Sequence, residues 1–384
     1  MEKRIDYLDS LRGLAAISVV LSHFVLAYNN RISIIFSIFN FTPLHFFFDG
    51  FAAVTLFFVL SGFVLTLSFE RYPSINIIDF YVKRVLRIWP AFIITLFISF
   101  YLYCFYNNVF TTPSSSKWIA QFWRQPLSLN TLVHQLFLSF SGGNQELVPQ
   151  GWSLKVEMQF SFLIPFLYIL YKRTGLITYL IAIVILYFVF NISIFIVHFS
   201  MGLILALNSD KIIAYFNKIK DRVPAIVIVI ISILYTYRYT VPMYYWHHYR
   251  QTLIIAGSED FMWFISGLGA FFIIVWCLGS LKLQAILNTN ILIFLGKISY
   301  SIYLTHFMIL IYLVPRVIKL LNSLGIVQFY LTLALALITL LVVTIIVSYI
   351  FWRFVELNFV KLAKTIVSLV VKKKYLTGFN VANY

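Results

Sequence analysis

The chain has 384 residues, of which 61% are hydrophobic and 11% are charged, and its formal net charge is +16. Because a soluble domain is about one quarter charged, this composition excludes an ordinary soluble protein and favours a polytopic membrane protein. The positive charge is typical of nucleic-acid-binding proteins too, but here the basic residues lie in short segments between apolar runs. That distribution orients membrane spans, so we expect membrane lipid and no nucleic acid as a partner.

Apolar segments of about 20 residues, the length that crosses the hydrocarbon core of a bilayer, recur along the whole chain. They predict an all-α, polytopic helix bundle of about 10 transmembrane helices. The predicted spans lie near residues 8–28, 47–69, 86–107, 153–171, 175–191, 192–208, 223–240, 261–280, 298–318 and 328–352. The excess of Lys and Arg on one side predicts cytoplasmic N- and C-termini. We interpret residues 1–360 as one membrane domain and residues 361–384 as a basic cytoplasmic tail that suits an anionic membrane surface.

The first predicted span carries ionisable side chains that a lipid-facing helix would not keep. Eleven positions separate Arg12 from His23, which is about three helical turns, so both side chains lie on one face roughly 16 Å apart along the axis. Ionisable groups in hydrocarbon cost several kcal/mol and usually point at a cavity or a partner. The alternative interpretation is an arginine that reaches the interface and a histidine that packs between helices.

Two arginines stand at the start of the third predicted span, in KRVLRIWP. Arg84 and Arg87 are three residues apart and are therefore neighbours on one helix face. Arginines that flank a span often only set its orientation, but a pair of guanidinium groups also binds phosphate oxygens in a bidentate fork. With Arg12 on the same side of the membrane, three arginines would favour a polyphosphorylated cytosolic ligand. In the second span, Ser61 and Gly62 favour close helix packing.

The longest segment on the predicted outer side runs from about residue 108 to residue 152. We interpret it as a reentrant or interfacial segment, although a plain connecting loop is the alternative. Two features support the interfacial interpretation. The first is the helical spacing of Leu129, Leu132, Leu136 and Phe137, and the second is the presence of three tryptophans, Trp118, Trp123 and Trp152.

The fourth span opens with PQGWSLKVEMQF, which places Glu157 inside the membrane. A carboxylate at this depth is a functional candidate by default, and a salt bridge to Lys155 or Arg124 is the alternative.

The ninth span opens with LGKISYSIYLTHF, which sets Ser299, Tyr300, Tyr303 and His306 along one side of a helix. Such a polar stripe indicates either a lined cavity or hydrogen bonds between helices.

Taken in order, R-x10-H in the first span, FFVLSGF, RVLRIWP, WSLKVE, GKISYSIYLTH and the closing WRFVELNF resemble the membrane acyltransferase family 3. The resemblance covers about residues 6 to 360. It implies a bacterial inner-membrane protein that moves an acyl group, most often acetyl from acetyl-CoA, onto a surface glycan. Exopolysaccharide, lipopolysaccharide O-antigen and a lipid-linked repeat unit are the acceptors that it implies. Acetyl-CoA would be a substrate, and no permanently bound cofactor or metal is expected. The family also has a branch that carries a fused esterase-like domain, and this chain resembles the stand-alone branch.

Position by position, the resemblance makes Arg12 and His23 the signature pair, with His23 as the catalytic residue. Arg84 and Arg87 match the family's donor-binding motif, and Glu157 matches an acidic residue that we group with the catalytic candidates. The further candidates for lining the cavity or binding the acceptor are Ser61, Trp152, Ser153, Lys155, Tyr300, Tyr303 and His306.

Three positions depart from the family's pattern. Lys155 stands where a small residue is common, Thr55 where an acidic residue often precedes LFFVLSGF, and Asn358 where a proline is usual. The first two adjoin the expected site, so they bear on the identity of the acceptor more than on the reaction class.

Two mechanisms are open at this point. His23 is either a general base toward an acceptor hydroxyl or a nucleophile that carries the acyl group, and Glu157 either orients His23 or binds the acceptor. From the residues alone, a transporter or flippase for a lipid-linked sugar and a polysaccharide polymerase are the alternative functions.

Overall fold

The computed structural model is a bundle of α-helices, and it describes residues 5–28, 43–71, 76–105, 115–123, 129–136, 147–243 and 258–379. The helices are α1 (Asp6–Tyr28), α2 (Gly50–Arg71), α3 (Ile77–Cys104), α4 (Leu129–Leu136), α5 (Gly151–Phe188), α6 (Phe195–Arg222), α7 (Pro224–Tyr235), α8 (Glu259–Gly279), α9 (Leu281–Leu287), α10 (Asn290–Tyr312), α11 (Val314–Ser323), α12 (Phe329–Phe351) and α13 (Leu357–Phe379). Short 3-10 turns cover Pro43–Phe47 and Ile119–Gln121, and π turns cover Tyr239–Met243 and Trp352–Glu356.

The prediction of an all-α, polytopic membrane bundle is confirmed. In the described residues, eight helical stretches are long and apolar enough to cross a membrane. Each of the ten predicted spans overlaps a helix, and two features account for the difference in number. Gly175, at φ 76° and ψ 178°, divides α5 between two predicted spans, a conformation open to glycine because it has no Cβ. Helix α7 has 12 residues, fewer than the roughly 20 that a span needs.

Two helix starts were predicted too late. Helix α3 begins at Ile77, where the side chain of Asn76 accepts a hydrogen bond from the backbone N–H of Ile78, and not near residue 86. Helix α10 begins at Asn290 and not near residue 298. In both cases the charged residues that lower local hydropathy belong to the helix. As a result, Arg84 and Arg87 lie two to three turns inside α3 and not at its end.

Helices α1 and α10 form the most extensive helix pair of the bundle and touch through their backbones. A methyl group on Gly13 would lie 2.7 Å from the backbone nitrogen of Gly296, and one on Gly296 would lie 2.5 Å from the backbone carbonyl of Asp9. Real side chains do not fit at such distances. Small residues at a crossing point let two helices approach closely, which strengthens packing where no water drives association.

The glycine crossing also sets which residues meet further along the two helices. His23 lies ten residues after Gly13, and His306 lies ten residues after Gly296. Because their side chains are in contact, α1 and α10 run in the same direction and stay adjacent for about 15 Å beyond the crossing. The register of the two helices therefore places one histidine against the other.

A second close crossing joins α2 to α6. A methyl group on Gly62 would lie 2.2 Å from the backbone oxygen of Phe199, and one on Gly202 would lie 2.1 Å from that of Val59. The neighbouring residue, Ser61, turns its hydroxyl to Glu157 instead. Gly62 therefore serves helix packing, and the adjacent Ser61 serves the polar contact.

The last spanning helix continues through the π turn Trp352–Glu356 into α13, which packs against α3. The boundary predicted at residue 360 falls inside α13. The π turn adds one residue to a helical turn and so changes which face the following side chains occupy.

We predict that Gly296→Ala lowers the stability of the protein by about 1–3 kcal/mol, because the added methyl group meets backbone atoms that cannot move independently. The measurement is the unfolding midpoint of the purified protein in detergent. Leu14→Ala is the control, since Leu14 lies on α1, the other helix of this crossing, and is 40% exposed. Equal midpoints for the two variants would show that the crossing tolerates a side chain.

Candidate functional site

Arg84 is the centre of a polar network within the bundle. Its guanidinium donates hydrogen bonds to the carboxylate of Glu157 and, at 2.8 Å, to the hydroxyl of Ser161. Ser61 donates a further hydrogen bond of 2.7 Å to the same Glu157 oxygen. The side chains of Arg84 and Glu157 are only 11% and 16% exposed. This ion pair therefore joins α3 to α5 inside the protein, and α2 supports it.

Arg12 and Arg87 belong to the same charged cluster. Arg12 donates a 2.8 Å hydrogen bond to Asp9, one turn earlier on α1, and interacts electrostatically with Arg87 and Glu157. Arg84 likewise interacts with Arg12 and Arg87. In the described part of the chain no carboxylate lies within salt-bridge distance of Arg87, which is exposed. The cluster of Arg12, Arg84 and Arg87 thus keeps positive charge available to an anionic ligand.

Helix α10 reaches this cluster through Tyr300. The Tyr300 hydroxyl donates a 2.7 Å hydrogen bond to the backbone carbonyl of Ile88 on α3, and the ring interacts electrostatically with Arg87 and Glu356. Glu356 lies on the π turn after α12, is 7% exposed and accepts a 3.0 Å hydrogen bond from Ser301. The sequence motif that contains this glutamate, WRFVELNF, gave no role for it, and the structure places it near Tyr300, which also borders the arginine cluster.

His23 lies about 16 Å further along α1 from Arg12 and contacts a second histidine. Its Nδ1 is 2.9 Å from Nε2 of His306, and the two ring planes are inclined by 26° with their centroids 5.1 Å apart. Trp118, at 5.3 Å, and Phe307, at 5.7 Å, border the same imidazole. His306 is fully buried, whereas His23 is partly exposed. The arrangement is a histidine pair with one accessible ring and one enclosed ring.

Trp118 is a neighbour of His23 that the sequence did not identify. Ser116, two residues before it, donates from its backbone N–H to the carbonyl of Ala27 at 2.7 Å and from its hydroxyl to the carbonyl of Leu26 at 2.6 Å. These carbonyls belong to the last turn of α1, which has no helical partners for them. Ser116 therefore fastens the segment 115–123 to the end of α1 and holds Trp118 over the imidazole.

Between the arginine cluster and the histidine pair, α10 contacts the start of α5. The Ser153 hydroxyl donates its single proton to the carbonyl of Gln150 at 2.9 Å. In the 2.6 Å contact between the Ser153 and Tyr303 hydroxyls, Tyr303 is therefore the donor. The Gln150 amide donates to the carbonyls of Tyr303 and Leu304. One face of α10 thereby carries Tyr300 beside the arginines, Tyr303 at mid-distance and His306 beside His23.

The other predicted site residues have different surroundings. Trp152 is 36% exposed and packs its ring 5.7 Å from that of Trp263. Lys155 is half-buried. From the sequence, Lys155 or Arg124 is the alternative salt-bridge partner of Glu157. In the structure the partner is Arg84. Arg124 lies outside the described residues. Glu157 lies with the arginines, and the group beside His23 is His306 and not Glu157.

The segment predicted as interfacial, residues 108–152, contains the helix α4 (Leu129–Leu136). The indole N–H of Trp89 on α3 donates to the carbonyl of Leu136 at 2.9 Å, so α4 is attached to the spanning helix. Phe137 lies outside the described residues.

Comparison with known proteins gives one family and one relative. A family model described as an acyltransferase domain matches residues 5–353. Nodulation protein 10 of Rhizobium leguminosarum bv. viciae is 28% identical over 136 residues, which are 31% of this chain and 34% of that protein. The chain thus spans about a third of the length of this curated relative. No solved structure matches the chain.

We predict that Glu157→Gln destabilises the protein by about 3–5 kcal/mol, because Arg84 then stays buried without a counter-charge. The measurement is the unfolding free energy in detergent, with Glu70→Gln as the matched control. Glu70 pairs with Lys172 at 2.7 Å, but these side chains are 34% and 47% exposed, so that change should cost no more than about 1 kcal/mol.

In the Arg84→Gln background, Glu157→Gln should cost clearly less than it does alone, since the buried cation is gone. Strict additivity of the two substitutions would contradict a coupled ion pair.

Proposed function

Since this chain belongs to the acyltransferase 3 family and is a multi-pass membrane acyltransferase, we propose that it transfers an acetyl group from cytosolic acetyl-CoA to a hydroxyl of a glycan. The glycan is a cell-surface or exported sugar polymer, or its lipid-linked repeat unit. The bacterial inner membrane is the location that fits both substrates, because it separates cytosolic coenzyme A from exported glycans. Membership of this family favours the acyltransferase over the transporter, flippase and polymerase.

One observation carries this proposal. Helices α1 and α10 run side by side and carry a histidine pair, and about 16 Å from it Arg12 of α1 and Tyr300 of α10 meet Arg84 and Arg87 of α3 in the arginine cluster. A coenzyme A thioester has the same division: a polyphosphorylated end, then a pantetheine arm, then the reactive carbonyl. The arrangement of charges and imidazoles matches the two ends of such a donor.

We assign donor binding to Arg12, Arg84 and Arg87. Guanidinium groups bind phosphate oxygens through paired N–H donors, and Arg87 is both exposed and without a carboxylate partner within salt-bridge distance in the described residues. Within the cluster, the carboxylates of Asp9 and Glu157 hold Arg12 and Arg84 in place. An incoming phosphate would share these guanidinium groups with the carboxylates, so Glu157 in this proposal sets the geometry and charge of the donor site.

We assign proton transfer to His23. Its imidazole removes the proton from an acceptor hydroxyl while the hydroxyl oxygen attacks the thioester carbonyl. The carbon–sulfur bond breaks with its electron pair going to sulfur, and the imidazolium returns the proton to the leaving thiolate. The products are an O-acetyl ester and free coenzyme A. Transfer through an acylated His23 remains the alternative route.

The acceptor would approach the histidine pair from the side of Trp118, which borders His23, and Tyr303, which borders His306. Aromatic rings present large apolar faces on which a sugar ring can pack. The hydroxyl oxygens of Tyr303 and Ser153 offer lone pairs that can accept hydrogen bonds from sugar hydroxyls. Ser61 is bonded to Glu157, and it therefore belongs to the donor side of the site in this proposal.

We predict that His23→Ala folds and inserts into the membrane but loses about 10²- to 10⁴-fold in acyl transfer, the usual contribution of a general base. The measurement is the transfer of radiolabel from acetyl-CoA to membrane glycans, with the ester protons of those glycans observed by NMR. His134→Ala is the control, since His134 is an exposed histidine on α4. Wild-type transfer by the His23→Ala variant would remove His23 from the mechanism.

We predict that Arg87→Gln lowers kcat/KM for acetyl-CoA by about 10- to 100-fold, the value of a charge-assisted hydrogen bond. With acetylpantetheine, which lacks the phosphates, the variant and the wild type should react equally. Lys83→Gln is the matched control, because Lys83 is exposed on the same helix and its loss changes the charge equally. A similar loss with both thioesters would place Arg87 elsewhere than on the donor phosphates.

A further inference from the structure

The hydrogen bonds of the histidine pair determine where its protons lie. His306 Nδ1 is 3.0 Å from the backbone carbonyl of Ile302, one turn earlier on α10. A carbonyl oxygen can only accept a hydrogen bond, so Nδ1 of His306 carries a proton. In a neutral imidazole the other nitrogen, Nε2, then holds a lone pair and can only accept.

The atom that faces this lone pair is Nδ1 of His23, at 2.9 Å. For that contact to be a hydrogen bond, Nδ1 of His23 must be the donor. Neutral His23 therefore has its proton on Nδ1 and a lone pair on Nε2. In the described part of the chain, no hydrogen bond occupies this Nε2, and the ring keeps partial exposure beside Trp118.

We propose that His306 is a positioning residue that holds the proton of His23 on Nδ1, so that Nε2 of His23 is the basic atom presented to the substrates. This inference rests on the proposed function, because it names the atom and the orienting partner of the same site. Without a hydrogen-bond partner on Nδ1, the imidazole of His23 is free to carry its proton on Nε2. In that state Nε2 cannot accept the proton of a substrate hydroxyl. The hydrogen bond made by one ring nitrogen decides the state of the other.

The two successive hydrogen bonds, from His23 to His306 and from His306 to Ile302, end on a backbone carbonyl and not on a carboxylate. Ile302 lies on α10, four residues before His306, so the acceptor of the last proton is part of the same helix turn. His306 itself is fully buried, and its ring plane is inclined by 26° to that of His23, so the two facing nitrogens can share a hydrogen bond. The direction of the two hydrogen bonds is thereby built into α10 and is independent of Glu157, which lies with the arginines.

The proton balance of the reaction follows from this assignment. Nε2 of His23 takes the proton of the acceptor hydroxyl, and Nδ1 keeps its own proton and its bond to His306. The acceptor oxygen forms the bond to the acyl carbon, and the carbon–sulfur bond breaks with its electron pair on sulfur. Nε2 then gives its proton to the sulfur and returns to the starting state.

The test that needs no substrate is ¹⁵N NMR of the full-length protein in lipid nanodiscs, with ¹⁵N-labelled histidine. The His23 signals are those that disappear in His23→Gln. We expect a protonated Nδ1 and an unprotonated Nε2 for His23 in the wild type. A proton on Nε2 of His23 in an active wild-type protein would overturn this inference and leave the proposed function standing.

Two variants of His306 make the test specific to this residue, because both carry a side-chain amide and differ only in side-chain length. In His306→Gln the side-chain oxygen can take the position of Nε2 and accept from His23, whereas the shorter side chain of His306→Asn ends near the position of Nδ1. We expect His306→Gln to retain the wild-type proton position on His23 and His306→Asn to lose it. In acetyl-CoA turnover, kcat should fall about 10- to 100-fold further in His306→Asn than in His306→Gln, the value of one charge-assisted hydrogen bond to the imidazolium that forms on His23.

The KM for acetyl-CoA should stay at the wild-type value in both variants, because the arginine cluster lies about 16 Å from the histidine pair. Equal loss of kcat in the two variants, with equal unfolding midpoints, would show that His306 only fills space. A wild-type protein that has the expected proton position but transfers no acetyl group to glycan or to water would overturn the proposed function instead.

Discussion

The backbone contact between Gly13 and Gly296 is the constraint on which the rest of the site depends. It fixes α1 and α10 in one register, and both groups of polar residues lie on these two helices or against them. The arginine cluster forms near the crossing, where Arg12 follows Asp9 on α1 and Tyr300 follows Gly296 on α10. The histidine pair forms ten residues beyond it. A slip of one residue between the helices would rotate each histidine by about 100° away from the other.

Charge inside an apolar bundle imposes the second constraint. Arginines that have lost water need compensation, because an isolated buried cation is strongly unfavourable. In the described residues Asp9 supplies it to Arg12, and Glu157 supplies it to Arg84, which also donates to the hydroxyl of Ser161. The positive charge that remains near Arg87 is therefore held on a pre-arranged frame. A phosphate group can add to such a frame without the protein having to build the site anew.

The sequence predicts the helical class and most of the polar residues, because apolar length and helical spacing are local properties. It predicts that Arg12 and His23 share a face, but not that His306 faces His23, since the two residues are 283 positions apart. For the same reason Arg84 was not paired with Glu157. Trp118 gave no signal beyond its residue type, because its position depends on the hydrogen bonds of Ser116. The starts of α3 and α10 were misplaced because charged residues lower hydropathy even where a helix includes them.

The hydrogen bonds of Ser116 to Leu26 and Ala27 have a consequence for access to His23. Any movement that lifts Trp118 away with Ser116 leaves two carbonyls at the end of α1 without donors, in surroundings that offer little water. Opening the imidazole on that side is thus energetically linked to fraying of the first helix at its end. If the proposed glycan acceptor enters on this side, its rate of entry and exit would accordingly follow the opening and closing of one helical turn, rather than the width of a permanent pore.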